Sequence, residues 1–451
     1  MITIDSRRCG AGKTHGKNGT INRIKYNRAA NENSLIVLPS IKLVDEYAKN
    51  FSRSFKITSD VTGNVQAELQ TAITEMYDIV IITHAAFLEC EITPSLKRNY
   101  HLIIDEAFDP WRFHEYSQEK KDQIFDWNKL VYSNISWQEP EYSTVMFDDM
   151  LTNSVTQNST FIRDISSRNW VNFINTESLN KMLDERQFKI NIIQELDPML
   201  LSDWSSVHVA AAMFEKTFMH MWFKKHKIRF TITEAFEKHT ETLNVYYPDS
   251  GTYDGGWDWS RNKKTTMAWL HTEFKDHFSK TIGDTKYLRL KNNIDLRHSD
   301  WETSCPHNAA GSNDYKEIES VVLESALNPS PEMGKWLQDI ADTYLNQDQD
   351  KGVYAARTGY TYYQVLMRCC LRKNLPADVY VIDRRAVSQL CDYFDNVNLC
   401  DWIPTTPRTI KPTKPTALTS AERVKAKRLK DKYPEKYAGL KSREILDSIK
   451  K

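Results

Sequence analysis

A short apolar run, Ile2 to Ile4, stands directly ahead of Ser6-Arg7-Arg8-Cys9-Gly10-Ala11-Gly12-Lys13-Thr14. No other segment limits the fold as much. Two glycines one residue apart let the backbone turn sharply with its N–H groups facing inward, while Lys13 adds a point charge and Thr14 a hydroxyl. A strand followed by such a loop is a polyphosphate cradle of α/β sheets. Cys9, Gly10, Ala11, Gly12, Lys13 and Thr14 are therefore candidate residues for binding ATP, and Thr14 a candidate ligand for Mg²⁺. The longer form of this pattern has glycine where this chain has Arg7, so the match is to the shorter Gly-x-Gly-Lys-Thr form. A Gly-Lys-Thr turn without a ligand is the alternative.

A second segment narrows the choice. Leu102-Ile103-Ile104 runs into Asp105-Glu106-Ala107-Phe108, which reads as a buried strand delivering two carboxylates at its end. Nucleotide hydrolysis needs such a pair, one acid to hold Mg²⁺ and one to polarise the attacking water. Asp105 and Glu106 are assigned those parts, against the alternative of a solvated acidic turn. Two more apolar runs, Ser34 to Leu38 and Asp78 to Ile82, lie between the loop and Asp105, the first followed by an amphipathic helix over Lys42 to Phe51. Strands alternating with helices predict a parallel sheet whose ligands gather at the strands' C-terminal ends. Val207 to Ala212 reads as a further strand. The hundred-odd residues before it are polar and aromatic-rich and read as a largely helical insertion, with Trp111, Phe113, Trp127, Trp137 and Trp170 as core rather than stacking platforms.

From about residue 225 the pattern begins again. Lys227 to Thr233, Leu243 to Tyr247, Tyr287 to Leu290, Ile318 to Leu323 and Val379 to Ile382 read as strands, and Thr265 to Ser279 as a helix. A chain of 451 residues exceeds what one core supports, so the expected division is residues 1–224 with an insertion at about 109–205, residues 225–403, and a tail from 404 to 451. With 40% apolar and 27% charged residues, no run of eighteen apolar residues and a polar start, neither a membrane span nor a secretory signal is expected. A cytoplasmic site follows. Cys9, Cys90, Cys305, Cys369, Cys370, Cys391 and Cys400 form no C-x-x-C pair, which suits reduced thiols, and Cys305 with His307 lacks the second ligand pair of a zinc site.

The formal net charge of zero hides an asymmetry. From Thr405 to Lys451 there are 14 Lys and Arg against 5 Asp and Glu. Pro404 to Pro415 reads as an extended linker, and Thr419, three before Glu422, opens an expected helix bearing Arg423, Lys425, Lys427, Arg428, Lys430 and Lys432. Arg423, Lys427 and Arg428 are candidates for nucleic-acid phosphates, the alternative being a solvated tail.

The ordered segments over roughly residues 4 to 385 resemble the superfamily 2 helicases, in particular the compact DEAD-like (DExx-box) helicases of phages and other viruses. Cys9 to Thr14 is similar to motif I, Pro39-Ser40 to motif Ia, Thr83-His84 to motif Ic, and Asp105-Glu106-Ala107 to motif II. Ala210-Ala211-Ala212 takes the place of motif III, Gly311-Ser312-Asn313 of motif V, and Gln364, Arg368 and Arg372 of motif VI. The resemblance implies two RecA-like domains in tandem with ATP and Mg²⁺ between them. It also implies catalytic roles for Lys13, Asp105, Glu106, Gln364, Arg368 and Arg372, one or both arginines acting as a finger on the γ-phosphate. Pro39, Ser40, Thr83, His84, Gly311 and Asn313 would touch nucleic acid.

Three departures stand out. The motif III position lacks hydroxyls, the last arginine of motif VI sits eight rather than seven residues after Gln364, and no adenine-reading segment precedes Ser6. The reading that results is an ATP-dependent helicase or translocase on nucleic acid, with single-stranded DNA favoured, in replication or recombination of a phage-like genome in the host cytoplasm, alongside proteins of those pathways. An RNA helicase and a nucleotide-gated loading factor are the alternatives.

Overall fold

The computed structural model describes residues 1–58, 64–117, 130–132, 142–147, 167–183, 189–248, 264–290, 301–305, 315–324, 327, 329–345, 349–382 and 384–402. The N-terminal apolar runs become β1 (Ile2–Asp5), β2 (Asn33–Leu38), β3 (Phe55–Ile57), β4 (Ile79–Thr83) and β5 (Tyr100–Asp105). An insertion with β6 (Trp111–Ser117), β7 (Leu130–Tyr132), β8 (Tyr142–Phe147), β9 (Trp170–Asn175) and β10 (Lys189–Leu196) follows, then β11 (Ser206–Ala210) and β12 (Phe230–Glu234). β1 to β5, β11 and β12 form one parallel sheet in the order β12-β1-β11-β5-β2-β4-β3.

Near-continuous apolar strands suit such a sheet, because helices cover both faces. Ile36, Leu38, Ile79, Ile81 and Ile103 pack under the helices Thr20–Ala29 and Ile41–Ala48 through Ile24, Val44 and Tyr47. The alternate residues Leu35, Val37, Val80, Ile82, Leu102 and Ile104 pack on the other face with Leu69, Phe87 and Trp222.

A second parallel sheet, in the order β15-β14-β16-β17-β13-β18, is built from β13 (His239–Pro248), β14 (Tyr287–Leu290), β15 (Glu302–Cys305), β16 (Ser320–Leu323), β17 (Ala377–Val381) and β18 (Phe394–Trp402). The two parallel sheets with their helices make a mixed α/β protein with two RecA-like units. β18 had no apolar run to announce it. It is an edge strand, mostly exposed after Phe394, and pairs with β13 along only one side.

The expectation of a largely helical insertion is corrected. Its described residues form a five-stranded antiparallel sheet, β6-β10-β9-β8-β7, together with the helix Thr176–Leu183. Its strands mix Asn, Gln, Glu and His with the apolar residues, and these polar groups pair inside the sheet: Gln194 Nε2 donates to Asn172 Oδ1 at 2.8 Å and His114 lies 2.7 Å from Gln194 Oε1. Glu195, fully buried, ties the insertion to the first unit by accepting from Lys225 Nζ at 2.6 Å and pairing with His226 at 2.7 Å.

Two elements fall on the other side of the boundary expected at 224 and 225. β12 pairs with β1 and so belongs to the first sheet. The helix Pro331–Tyr344 lies between strands of the second sheet along the chain, yet Met333, Trp336, Leu337, Ile340 and Ala341 enter the core of the first. Trp336 meets the rings of Tyr142 and Phe173 at centroid distances of 4.8 Å, with the Lys225 ammonium 4.8 Å over its own ring. An amphipathic helix buries its apolar face wherever a matching surface exists, and chain order does not say which sheet supplies it. The expected basic tail lies outside the described residues.

Candidate active site

β1 ends at Asp5, and the register sets Asp5 opposite Ala210 and Ala210 opposite Asp105. The glycine-rich loop and the acidic pair thus leave the same rim of the sheet, one strand apart. Gly10 and Gly12 hold φ of +82° and +77°, in the left-handed region that a side chain disfavours. Lys13 turns its ammonium back onto the loop, donating to the Arg7 and Arg8 carbonyls at 2.9 and 3.2 Å. Arg7, at the position of the missing glycine, braces the loop: its Nε donates to Asp5 Oδ1 at 2.9 Å and its Nη1 to the Ala11 carbonyl at 3.4 Å. The guanidinium beside Asp5 holds that carboxyl below its usual range against the opposing effect of burial.

Asp105 is buried at the end of β5. Burial first, and the Glu106 charge second, push its carboxyl up to about 7. Tyr47, from the helix Ile41–Ala48, donates to Asp105 Oδ2 at 2.9 Å. Glu106 has φ +67°, so its side chain leaves the line of the strand while its N–H donates to the Ala210 carbonyl at 3.0 Å. Such backbone in a non-glycine residue is a strained feature typical of functional strand ends. Ala210, Ala211 and Ala212 offer no hydroxyl there. The Ser6 hydroxyl, on the loop after β1, accepts from Phe214 N at 2.9 Å and donates to Glu215 Oε2 at 2.5 Å.

The second half supplies the opposite wall. A π-helical turn, Ala355–Gly359, leads into the helix Tyr360–Leu366, which presents Tyr360 and Gln364 to Glu106 Oε2 at 3.1 and 3.3 Å. Arg368, buried just beyond that helix, donates to Gln364 Oε1 at 3.2 Å. Tyr363 accepts from the Cys9 N–H at 2.8 Å and lies 2.8 Å from His239 Nε2. Burial lowers the His239 imidazole to about 4 and keeps it neutral. Its Nδ1–H therefore donates to Glu241 Oε2 at 3.2 Å while Nε2 accepts from Tyr363.

These groups enclose a cavity of about 480 Å³ lined by Cys9, Gly10, Gly12, Lys13, Thr14, Tyr47, Asp105, Glu106, Lys316, Arg368, Arg372 and Lys373, among others. Arg372 is held below its ordinary range by burial and then by the Arg368 charge. Two guanidiniums facing one cavity favour an anion between them. Among the described residues no cluster of three His, Cys, Asp or Glu could hold a metal by itself. Mg²⁺ bound through one carboxylate, one hydroxyl and substrate phosphates needs no such cluster, and Asp105 and Thr14, both in the cavity lining, fit that donor set. The size of the cavity, its left-handed glycines and its cations fit a nucleoside triphosphate.

The cavity lining brings together five of the six residues read as catalytic, and Gln364 joins them through Glu106. The candidates for nucleic acid fare differently. Ser40 and Thr83 cap helices, accepting from Leu43 N at 3.4 Å and Ala86 N at 3.3 Å. His84 is half-buried: its Nε2 donates to the Asp105 carbonyl at 2.9 Å, its ring meets Phe108 edge-on, and burial lowers it to about 4. Pro39 is half-buried beside Ser40. Gly311, Asn313, Arg423, Lys427 and Arg428 lie outside the described residues. Tyr47, Tyr360, Tyr363 and His239 were not singled out in the sequence. The one signal there was four tyrosines, Tyr354, Tyr360, Tyr362 and Tyr363, crowded just ahead of Gln364.

Residues 6–147 match the sequence model of the DEAD/DEAH box helicases. The matched segment is about a third of the chain and carries the glycine-rich loop and the Asp105-Glu106 pair. No curated protein matches the chain. Among solved structures, one described as an XPD helicase aligns with 89% of this chain and 96% of its own at 11% identity and a TM-score of 0.47. Xpd4 of S. tokodaii aligns with 88% and 95% at 12% identity and a TM-score of 0.45. UvsW of T4 aligns with 89% and 73% at 8% identity and a TM-score of 0.24. Likeness at this level says nothing about activity.

Proposed function

We propose that the chain hydrolyses ATP at the cavity between its two sheets and uses the turnover to move along, and to unwind, nucleic acid. One observation carries the reading: residues of both halves, Lys13, Asp105 and Glu106 from one and Arg368 and Arg372 from the other, line a single anion-suited cavity. The match of residues 6–147 to the DEAD/DEAH box helicases supports a nucleic-acid track.

The loop amides and Lys13 hold the β- and γ-phosphates, with Lys13 leaving the Arg7 and Arg8 carbonyls to do so. Thr14 and Asp105 would hold Mg²⁺, which would supply positive charge against the phosphates. Glu106 takes the proton of the attacking water as the water oxygen bonds to the γ-phosphorus and the bond to the bridging oxygen of ADP breaks. Arg368 and Arg372 stabilise the charge that spreads over the transferring group. Because the site is complete only with both halves present, hydrolysis and phosphate release change how the halves hold one another, and with them their grip on a strand.

Single-stranded DNA is the favoured track and replication or recombination of a phage-like genome the favoured setting, both resting on the resemblance of the motif set. An RNA track is the alternative. The basic tail, with Arg423, Lys427 and Arg428, is a tether for either. The test measures ATP turnover with and without single-stranded DNA and RNA, then displacement of a labelled strand. Lys13→Ala is expected to abolish turnover, and Glu106→Gln to keep ATP binding while blocking hydrolysis. Turnover near wild type in both variants would sink the assignment, and indifference to both nucleic acids would remove the track.

A further inference from the structure

Glu106 lines the cavity beside Asp105. Its φ of +67° swings it off the strand, and its one backbone tie is the N–H to Ala210. The carboxylate, at the end of three rotatable bonds, is steadied from the other half of the molecule. Tyr360 Oη and Gln364 Nε2 both donate to Oε2, and among the described residues no donor falls on Oε1. We infer that Tyr360 is a positioning residue for Glu106: its hydroxyl, with the Gln364 amide, fixes one carboxylate oxygen so that the other points into the cavity toward the attacking water.

Two further observations support this. Tyr360 packs against the apolar core of the second half, so contacts other than the hydroxyl keep its ring in place. Enclosure of the phenol, and after it the Glu106 charge, push its pKa well above the ordinary 10, so it stays a donor at any working pH. A base held in one orientation contributes to the rate by being aligned before the reaction begins, and a loosely held one loses that advantage without losing affinity for substrate. Both donors come from the second half. Glu106 is therefore aimed only while the two halves are together.

The inference rests on Glu106 being the residue that accepts the water's proton, and the experiment separates the two claims. Tyr360→Phe, Glu106→Gln and the double variant are compared by steady-state and single-turnover ATP hydrolysis at saturating single-stranded nucleic acid, with melting midpoints to check folding. Tyr360→Phe is expected to lower kcat about tenfold, the size of a lost hydrogen bond to a charged group, with KM for ATP unchanged. On the Glu106→Gln background the same change is expected to have no further effect, because the group it positions is gone. Wild-type kcat in Tyr360→Phe, or an equal loss on both backgrounds, would overturn the inference and leave the assignment of Glu106 standing. Full turnover in Glu106→Gln would remove both.

Discussion

Asp105 sits at about 7, far above its ordinary 3.8, because its carboxyl is buried and faces Glu106. The folded chain therefore binds this proton more tightly than the unfolded chain does. The stability it contributes is fully present below about pH 4 and is lost as pH rises through about 7. In metal-free protein the melting midpoint is expected to fall between roughly pH 4 and 7 and to level off above that, and Asp105→Asn, which carries no charge at either end, to flatten that slope. Mg²⁺ with ATP should restore the lost stability in the wild type by binding the anion. Thermal melts across that range, with and without Mg²⁺ and ATP, provide the measurement. Equal slopes in the two proteins would place the titration elsewhere.

Lys13, Asp105, Glu106 and the arginines could be read from the sequence because each is a chemically distinctive residue beside a loop or a strand end. The tyrosines were not legible, for a physical reason. Tyr47, Tyr360 and Tyr363 act through single hydroxyls on partners 58, 254 and 354 positions away, while their rings behave as ordinary apolar surface. A local pattern registers the ring and misses the hydroxyl's partner. His84, read as a nucleic-acid contact, also has a tie that no local pattern announces, its Nε2 lying 2.9 Å from the Asp105 carbonyl 21 positions away.

Among elements, the parallel strands were legible because a strand buried on both faces has to be apolar throughout, as Ile79 to Ile82 are. The antiparallel insertion and the edge strand Phe394–Trp402 were not, since hydrogen-bonded polar side chains and solvent exposure interrupt their apolar pattern. The π-helical turn ahead of Tyr360 could not be foreseen either. Such turns tend to mark functional sites, and this one precedes the helix that serves both Glu106 and Cys9. It depends on Gly359, where an added Cβ would lie 2.8 Å from the Tyr393 hydroxyl and 3.1 Å from Gln389 Oε1. Gly359→Ala should therefore push the Tyr360–Leu366 helix away from the helix Arg384–Tyr393, destabilising the protein by about 1–3 kcal/mol and slowing ATP turnover with it. Denaturant melts and hydrolysis assays measure the two effects. An alanine variant as stable and as fast as wild type would show that Tyr393 yields without moving the helix.

At the scale of the whole molecule, Trp336 and its helix, made late in the chain, complete the core of a sheet whose last strand is Phe230–Glu234. A ribosome releases that strand about a hundred residues before it releases Trp336. Through that interval Tyr142, Phe173 and the buried Lys225 lack their cover, and the nascent first half exposes apolar surface that a chaperone would bind. A fragment ending just after Glu234 is thus expected to bind a hydrophobic dye and to aggregate, and a separate peptide carrying residues 331–356 to suppress both. Dye fluorescence and light scattering would report the outcome, and a fragment that stays monomeric and dye-silent by itself would show that the first half folds without help. If the dependence holds, the N-terminal half cannot finish folding during its own synthesis, and the interval before Trp336 emerges is when the chain is most open to misassembly and proteolysis.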